Sequence, residues 1–313
     1  MTGGAKMPIE TVIDVRGLTK IFDGRTVVDN FDLTVPKGAV YGFLGPNGSG
    51  KTTTIRMVCG LLTPDAGEGS CLGWDVVHQP EQIKAEVGYM TQKFSLWADL
   101  TIGENLDFIA RMFQVKDRQR RVQAALEDLG LAGRSHQLAG SLSGGWKQRL
   151  ALAACMIHDP KLLLLDEPTA GVDPKARREF WDTIHELADK GVTILVSTHY
   201  MDEAVQCDYI VYIAYGKKLI DAPSTEIAQR VGLYTWRAEG KGLKAAAAQL
   251  KDAQGVEQVS RFGTALHVSG RDKAALDKAI APLRNDPDLM WSERLAGLEE
   301  AFIHLMSGAE DNF

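Results

Sequence analysis

The chain has 313 residues, too many for one small domain, so its length predicts a large domain with a smaller one, or two domains of similar size. Apolar residues make up 45% and charged residues 24%, which is the balance of an ordinary globular protein. The formal net charge of −6 lacks the basic footprint of a dedicated nucleic-acid binder, and we expect no nucleic-acid partner.

Neither the cysteines nor the apolar segments indicate a secreted or membrane-spanning protein. The four cysteines lie far apart, without a CxxC pair or a histidine at metal-ligand spacing, so we expect the reduced thiols of a cytosolic protein. The first ten residues contain no apolar core, and we expect no signal peptide. No run reaches the roughly 18 apolar residues of a membrane span. If the protein acts at a membrane, a partner must cross it.

Strand and helix patterns alternate along the first part of the chain. Residues 12–15 are a predicted strand, residues 26–28 and 31–35 are predicted to be further β structure, and residues 39–44 form an apolar strand that runs into a glycine-rich loop. Residues 98–135 are predicted to be mostly helical. Apolar residues also recur at helical spacing directly after the loop, at Ile55, Val58, Cys59 and Leu62.

The alternation continues beyond residue 160 and predicts an α/β sheet. Residues 161–166 and 192–197 are short apolar runs typical of fully buried strands. A helix is predicted to begin at Pro174 with Asp173 as its N-cap. Two further strands, 208–214 and 217–220, are predicted to flank a turn at residues 215–216.

The pattern changes near Gly232. From there to residue 313 the order is a strand, a helix, two strands, a helix, a short segment around Met290 and Trp291, and a last helix. We therefore predict a small C-terminal α+β domain over 232–313.

The glycine-rich loop fits the phosphate-loop pattern G-x-x-x-x-G-K-[ST] at every required position. Glycines allow backbone N–H groups to converge on phosphate oxygens, and the helix N-terminus adds a partial positive charge. Lys51 is expected to neutralise the β- and γ-phosphates of ATP, and the Thr52 hydroxyl to bind Mg²⁺. The predicted nucleotide contacts of this loop are Gly45, Pro46, Asn47, Gly48, Ser49, Gly50, Lys51, Thr52 and Thr53.

Two carboxylates lie at the end of the buried strand 161–166. Asp166 ends the strand and Glu167 lies just past it, where ligands of such sheets bind. We expect Asp166 to hold Mg²⁺ and Glu167 to act as the general base that activates water.

In their order along the chain, these motifs resemble those of the ATP-binding subunit of an ABC transporter. The matching stretches are GPNGSGKT, YMTQKFSLW, LSGGWKQR, LLLLDEP, AGVD and STHY. The resemblance implies a P-loop NTPase fold of the ABC ATPase type over 10–231. That fold has a RecA-like core, an antiparallel β subdomain and a helical subdomain at about 93–157.

The resemblance also assigns roles to single residues. Phe22 would stack on adenine, although it could instead be a core aromatic. Gln92 would touch Mg²⁺ and link to the helical subdomain, unless it is only an exposed loop residue. His199 would contact the γ-phosphate and support the attacking water. Asp173 would lie at a dimer interface as well as capping its helix.

The signature stretch LSGGWKQR would contact ATP held by a second subunit. Ser143, Gly144 and Gly145 match the family residues that face the nucleotide of the partner subunit. The resemblance therefore implies a dimer, which we expect to be of identical chains. The fifth signature position is usually glutamine and is Trp146 here. A polar contact by that side chain is therefore in doubt, and Trp146 is expected to supply apolar packing at the nucleotide or the helix face.

The resemblance is strongest to ATPases of the multidrug and ABC-2 export type, through AGVDP, THYMDEA and the C-terminal LAGLEEAFIHLM. Such a subunit would power a membrane permease from the cytoplasmic face of the membrane. An importer ATPase is an alternative that the sequence separates poorly. A soluble ATPase of DNA repair is disfavoured because the interval between Lys51 and Ser143 leaves no room for a long coiled coil. One of translation is disfavoured because such proteins usually carry two ATPase modules.

The sequence leaves two roles open, that of an apolar cluster after Gln92 and that of the C-terminal domain. Phe94, Leu96 and Trp97 could receive a short helix of the membrane partner or form the core of the helical subdomain. The C-terminal domain could stabilise a dimer or carry a regulatory site. His267 and His304 have no partners at metal spacing and are interpreted as structural.

Overall fold

A computed structural model of the chain describes residues 10–307. The chain divides into two compact units, and the boundary in the sequence falls between Lys218 and Leu219. None of the helices within residues 10–307 combines the length and the apolar character that a bilayer span requires.

A six-stranded sheet forms the centre of the first unit. Its strands are β3 (Val40–Leu44), β6 (Val87–Met90), β7 (Leu162–Asp166), β8 (Thr193–Thr198), β9 (Tyr209–Ala214) and β10 (Lys217–Pro223), which spans the junction of the units. They lie in the order β10-β9-β3-β8-β7-β6, and the pairs from β9 to β6 are parallel. Every residue of β3 and of β7 is buried. These strands are continuous apolar runs because helices cover both faces of a parallel sheet.

A second sheet of the first unit is antiparallel. It contains β1 (Thr11–Phe22), β2 (Arg25–Pro36), β4 (Ala66–Cys71) and β5 (Trp74–Asp75), in the order β2-β1-β4-β5. The turn between β1 and β2 places Asp23 at φ 51° and Gly24 at φ 79°. Positive φ at both central residues gives a tight hairpin whose twist matches its strands.

Seven helices of the first unit are described: α1 (Lys51–Val58), α2 (Pro80–Glu86), α3 (Ile102–Met112), α4 (Arg118–Asp128), α5 (Gly144–Met156), α6 (Pro174–Asp189) and α7 (Met201–Ala204). A capping box fixes the start of α3, where the side chains of Thr101 and Glu104 each accept a bond from the other's backbone N–H. Helices α3, α4 and α5 share a core of their own, which includes Ile102, Leu106, Leu126 and Leu150. They form a helical layer separate from the sheet core.

The second unit has the βαββαβ order of a ferredoxin-like fold. Its elements are α8 (Ile227–Val231), β11 (Tyr234–Gly240), α9 (Leu243–Leu250), β12 (Gln258–Phe262), β13 (Ala265–Gly270), α10 (Lys273–Arg284), β14 (Leu289–Leu295) and α11 (Leu298–Ser307). The four strands form an antiparallel sheet in the order β12-β13-β11-β14. Helix α8 packs against α11 and so belongs to the second unit. The second unit therefore begins at Leu219, earlier than the residue 232 expected from the sequence.

The cysteines are free thiols, and the histidines of the second unit lie next to carboxylates. Burial raises the pKa of Cys59 to about 11 and that of Cys155 to about 12. His267 pairs with Glu300, and His304 Nδ1 lies 3.4 Å from an oxygen of Glu257. Within residues 10–307 no group of three or more histidine, cysteine and acidic residues could hold a metal ion.

Candidate functional site

The glycine-rich loop connects the end of β3 to the start of α1. Gly45 has φ 152° and Gly50 has φ 101°, conformations that favour glycine. A Cβ on Gly45 would lie 2.0 Å from the Ile213 carbonyl oxygen, and one on Gly50 would lie 2.8 Å from the Val27 carbonyl oxygen. The backbone packs so closely here that a side chain at either position would displace the loop.

Lys51 and Ser49 place unusual polar groups inside this loop. Lys51 is 5% exposed, and its Nζ donates to the carbonyl oxygens of Gly45 at 2.7 Å and Pro46 at 3.0 Å. Burial lowers the pKa of Lys51, and the negative charges of Glu167 and Asp166 offset part of that effect. The Ser49 hydroxyl is buried without a hydrogen-bond partner among the described residues. A buried cation and an unpaired buried hydroxyl at the start of α1 fit a phosphate group.

Thr52 and Asp166 are brought together from α1 and the end of β7. The Thr52 hydroxyl donates to the carboxylate of Asp166, at 3.1 Å from Oδ1 and 3.0 Å from Oδ2. Ser197, on β8, donates a 2.6 Å hydrogen bond to Oδ1. One carboxylate with one hydroxyl is the donor set that Mg²⁺ uses when substrate phosphates complete its coordination.

Glu167 is the centre of a second group of contacts. Its side chain is only 9% exposed. The Gln92 amide donates a 2.8 Å hydrogen bond to Oε2, and His199 Nδ1 lies 3.3 Å from Oε1. Gln92 and His199 are themselves exposed. One buried carboxylate is therefore held on both oxygens by polar side chains that face solvent.

The backbone of Glu167 adopts a conformation that is unusual for a residue with a side chain. Its φ is 48°, in the left-handed region. The Glu167 N–H donates to the Ser197 carbonyl and hydroxyl oxygens, each at 3.1 Å. Ser197 thus fixes the conformation that turns the Glu167 side chain away from the strand. Backbone strain of this kind is frequent at functional sites.

The signature residues lie at the start of α5, apart from these contacts. Ser143 is the N-cap of α5 without a side-chain capping bond, and both Ser143 and Gly144 are exposed. Among residues 10–307 no hydrogen bond joins these residues to the glycine-rich loop. A Cβ on Gly145 would lie 2.8 Å from the Ala176 Cβ, so α5 approaches α6 closely at this position.

Trp146 packs on the core of the helical layer. Its ring lies 4.5 Å from the Arg134 guanidinium and 5.3 Å from that of Arg149. Arg149 also donates a 2.7 Å hydrogen bond to Glu179 of α6. Of the two expected positions for its packing, Trp146 therefore occupies the one on the helix face.

Asp173 and Phe22 are the two remaining residues predicted for the site. Asp173 caps α6, with Oδ1 accepting from the N–H groups of Lys175 at 3.1 Å and Ala176 at 3.0 Å. Phe22, at the end of β1, is 44% exposed, so the alternative that it is a core aromatic is wrong. The Lys20 ammonium lies 5.5 Å from the centre of its ring. Phe22 therefore presents an open ring face on which a flat group could stack.

This chain is similar to several known proteins. The family model described as "ABC transporter" matches residues 28–170. The probable multidrug ABC transporter ATP-binding protein YbhF of Escherichia coli is 43% identical over 212 residues, 67% of this chain and 37% of its own length. The Nod factor export ATP-binding protein I of Burkholderia orbicola is 36% identical over 301 residues, covering 94% of this chain and 96% of its own. This chain belongs to the ABC transporter family.

The solved structures agree with this ABC fold. CbiO1 from Clostridium perfringens, part of an ABC transporter complex, superposes with a TM-score of 0.64 at 25% identity, covering 71% of this chain and 94% of its own. The predicted fold class, an ABC-type P-loop NTPase, is confirmed. Both relatives named above are ATP-binding proteins.

A groove lies on the helical side of this ABC ATPase. It encloses about 350 Å³ and is lined mainly by apolar side chains, with Lys84 and Lys93 but no carboxylate. Phe94 and Leu96 pack on the helical core, as one of the two expected interpretations has it, and they also line the groove. Trp97 does not line it and instead packs 4.4 Å from Phe108.

Sequence reasoning missed two residues that hold the site together. Ser197 contacts both Asp166 and the backbone of Glu167, although the sequence offered it only as part of the STHY stretch. Tyr89 brings its hydroxyl to 3.5 Å from Asp166. Both lie on strands that flank β7, so the order of strands in the sheet would have been needed to find them.

Proposed function

We propose that this ABC ATPase hydrolyses ATP between two subunits and thereby powers a membrane exporter. The observation that carries the proposal is the position of Glu167. Its buried carboxylate is contacted by Gln92 and His199 and directly follows the Asp166 that bonds Thr52. A carboxylate held in this way is suited to act as a base toward a water molecule.

The roles of single residues in hydrolysis follow from their contacts. Lys51 would exchange its bonds to the loop carbonyls for bonds to the β- and γ-phosphates. Thr52, Asp166 and Gln92 would hold Mg²⁺, which would neutralise charge on the phosphates. His199 would contact the γ-phosphate and keep Glu167 oriented. Phe22 would stack on the adenine through its exposed ring.

The signature residues supply the argument for two subunits. Ser143 and Gly144 present an exposed helix start that the chain's own loop does not bond. A helix start of this kind stabilises an anion. In a dimer of identical chains the partner's ATP would be that anion, and Asp173 would lie at the same interface. Hydrolysis would then depend on closure of the dimer.

The groove is the proposed docking site for a permease. An amphipathic helix would place its apolar face against Phe94, Leu96 and Phe113, and an acidic residue near Lys84 or Lys93 would match their charge. Gln92 precedes Lys93 in sequence and bonds Glu167, so docking and hydrolysis would be connected through this segment. The Burkholderia relative carries export in its name, which favours an exporter. The ATPase would then lie at the cytoplasmic face of the membrane.

A pair of variants tests the docking proposal. Phe113 lines the groove and is 41% exposed, whereas the neighbouring Met112 is 64% exposed and does not line it. In cells that make the native transporter, Phe113→Asp is expected to lower recovery of the ATPase with washed membranes, while Met112→Asp leaves it unchanged. Equal recovery of both variants, with normal ATP hydrolysis in each, would contradict docking in the groove.

A further inference from the structure

Glu203 is a buried carboxylate outside the candidate site. It lies on α7, four residues after His199, and is only 2% exposed. Burying a charge is costly unless it is paired and hydrogen-bonded. Each of its oxygens has such a partner, and two of the partners, Thr169 and Thr198, lie close in sequence to the proposed catalytic residues.

The first partner is Thr198, at the end of β8. Its hydroxyl donates a 2.6 Å hydrogen bond to Glu203 Oε2 and accepts one of 3.0 Å from the N–H of Tyr200. His199 lies between Thr198 and Tyr200 in the sequence. The bonds therefore fix the backbone on both sides of His199 relative to α7.

The second partner is Thr169, in the loop between Glu167 and Asp173. Its hydroxyl donates to Glu203 Oε1. A single carboxylate thus bonds the loop that follows Glu167 on one oxygen and the strand end that precedes His199 on the other. The carboxylate therefore links the two segments through hydrogen bonds.

Arg177 balances the charge of Glu203. This residue of α6 has its Nε 3.6 Å from Oε1, while its Nη1 donates to Asp202 at 3.1 Å and its guanidinium lies 4.7 Å from the Tyr200 ring. The Arg177 side chain is 22% exposed and that of Asp202 is 65% exposed. The Glu203 contact is the buried part of this ion-pair network.

We propose that Glu203 is a positioning residue for ATP hydrolysis, which holds His199 at the distance from Glu167 that activation of water requires. This inference rests on the proposed catalytic roles of His199 and Glu167. Misplacement of a catalytic group by about 1 Å costs about 10²-fold in rate. Loss of the network should therefore lower kcat while leaving nucleotide binding to the monomer intact, because Glu203 contacts neither the glycine-rich loop nor Phe22.

The test compares Glu203→Gln with Asp202→Asn in the full chain. Both changes convert an acid to its amide beside the same arginine, one buried and one exposed. We expect Glu203→Gln to lower kcat about 10–100-fold with the KM for ATP within about twofold. Asp202→Asn should hydrolyse ATP like the wild type. Wild-type kcat in folded Glu203→Gln, or an equal loss in both variants, would overturn the inference.

A second comparison decides the matter if Glu203→Gln fails to fold. Thr198→Val removes the hydroxyl that bonds Glu203, whereas Thr198→Ser keeps it. We expect kcat to fall in the valine variant and to be largely retained in the serine variant, with similar melting temperatures. Equal kcat in the two would reject positioning through Thr198. If the wild type itself does not hydrolyse ATP, the proposed function fails and the inference fails with it; wild-type hydrolysis with silent variants rejects only the inference.

Discussion

The amide of Gln92 donates a 2.8 Å hydrogen bond to Oε2 of Glu167. Gln92 leads into the segment that lines the groove, and Glu167 is the proposed base. We expect Glu167→Gln to lower steady-state ATP hydrolysis about 10²–10⁴-fold, because an amide cannot take a proton from water. Nucleotide binding should persist and an ATP-bound dimer should accumulate. Phosphate release and light scattering measure these effects.

The control for this change is Glu81→Gln, which alters an exposed carboxylate of α2 paired with Lys84. It should hydrolyse ATP like the wild type. Wild-type turnover in Glu167→Gln would show that Glu167 is not the general base.

Lys51 tests the nucleotide loop. Lys51→Ala removes the buried ammonium that would bind the phosphates, so we expect ATP affinity to fall at least about tenfold, since a hydrogen bond to a charged group contributes about 1.5–3 kcal/mol. Titration with a fluorescent ATP analogue measures it. Lys37→Ala, which removes an exposed lysine paired with Glu10, is the matched control. An unchanged titration curve for Lys51→Ala would show that the loop does not bind the phosphates as proposed.

The two signature glycines should respond differently to alanine. A Cβ on Gly145 would lie 2.8 Å from the Ala176 Cβ, whereas one on Gly144 would lie 3.7 Å from the Gly171 carbonyl oxygen. We expect Gly145→Ala to lower the free energy of unfolding by about 1–3 kcal/mol through overpacking. Gly144→Ala should change it little or raise it, since alanine favours helix. Urea denaturation without nucleotide measures both, and equal effects would contradict the close approach of α5 to α6.

Trp146 should stabilise the helical layer. In Trp146→Gln the packing on the helical core is lost together with two cation–π contacts, each of about 0.5–1 kcal/mol. We expect the free energy of unfolding to fall by about 1–3 kcal/mol. Trp146→Phe, which keeps an aromatic ring, should lose less. If the glutamine variant is as stable as the wild type in urea denaturation, this explanation of the signature tryptophan is wrong.

Local sequence patterns predicted the elements of the site because the chemistry lies at the ends of strands. Asp166 ends a buried apolar run, Lys51 begins the helix after a glycine-rich loop, and Asp173 caps its own helix. These positions depend on neighbours in sequence. Parallel strands then bring their carboxyl ends to one edge, so Thr52 and Asp166 could be expected to meet.

Contacts that depend on tertiary packing were not accessible from the sequence. The left-handed backbone of Glu167 is held by Ser197 from the neighbouring strand, and no pattern around either residue indicates it. Glu203 looks like an ordinary helical acid in THYMDEA until its burial against Thr169 is seen. The division after Lys218 likewise depends on the packing of α8 on α11, two helices far apart in the chain.

The proposed function requires the signature of one subunit to complete the ATP site of another. Lys51→Ala and Ser143→Arg should each be inactive alone, the first for lack of phosphate binding and the second because arginine blocks the helix start. A mixed dimer would hold one intact site, with Lys51 from one chain and Ser143 from the other. The measurement is ATP hydrolysis by the two inactive variants, separately and mixed. We expect activity that appears only on mixing. If no activity is recovered, with both variants folded and the wild type active, the signature does not complete the site of a second subunit.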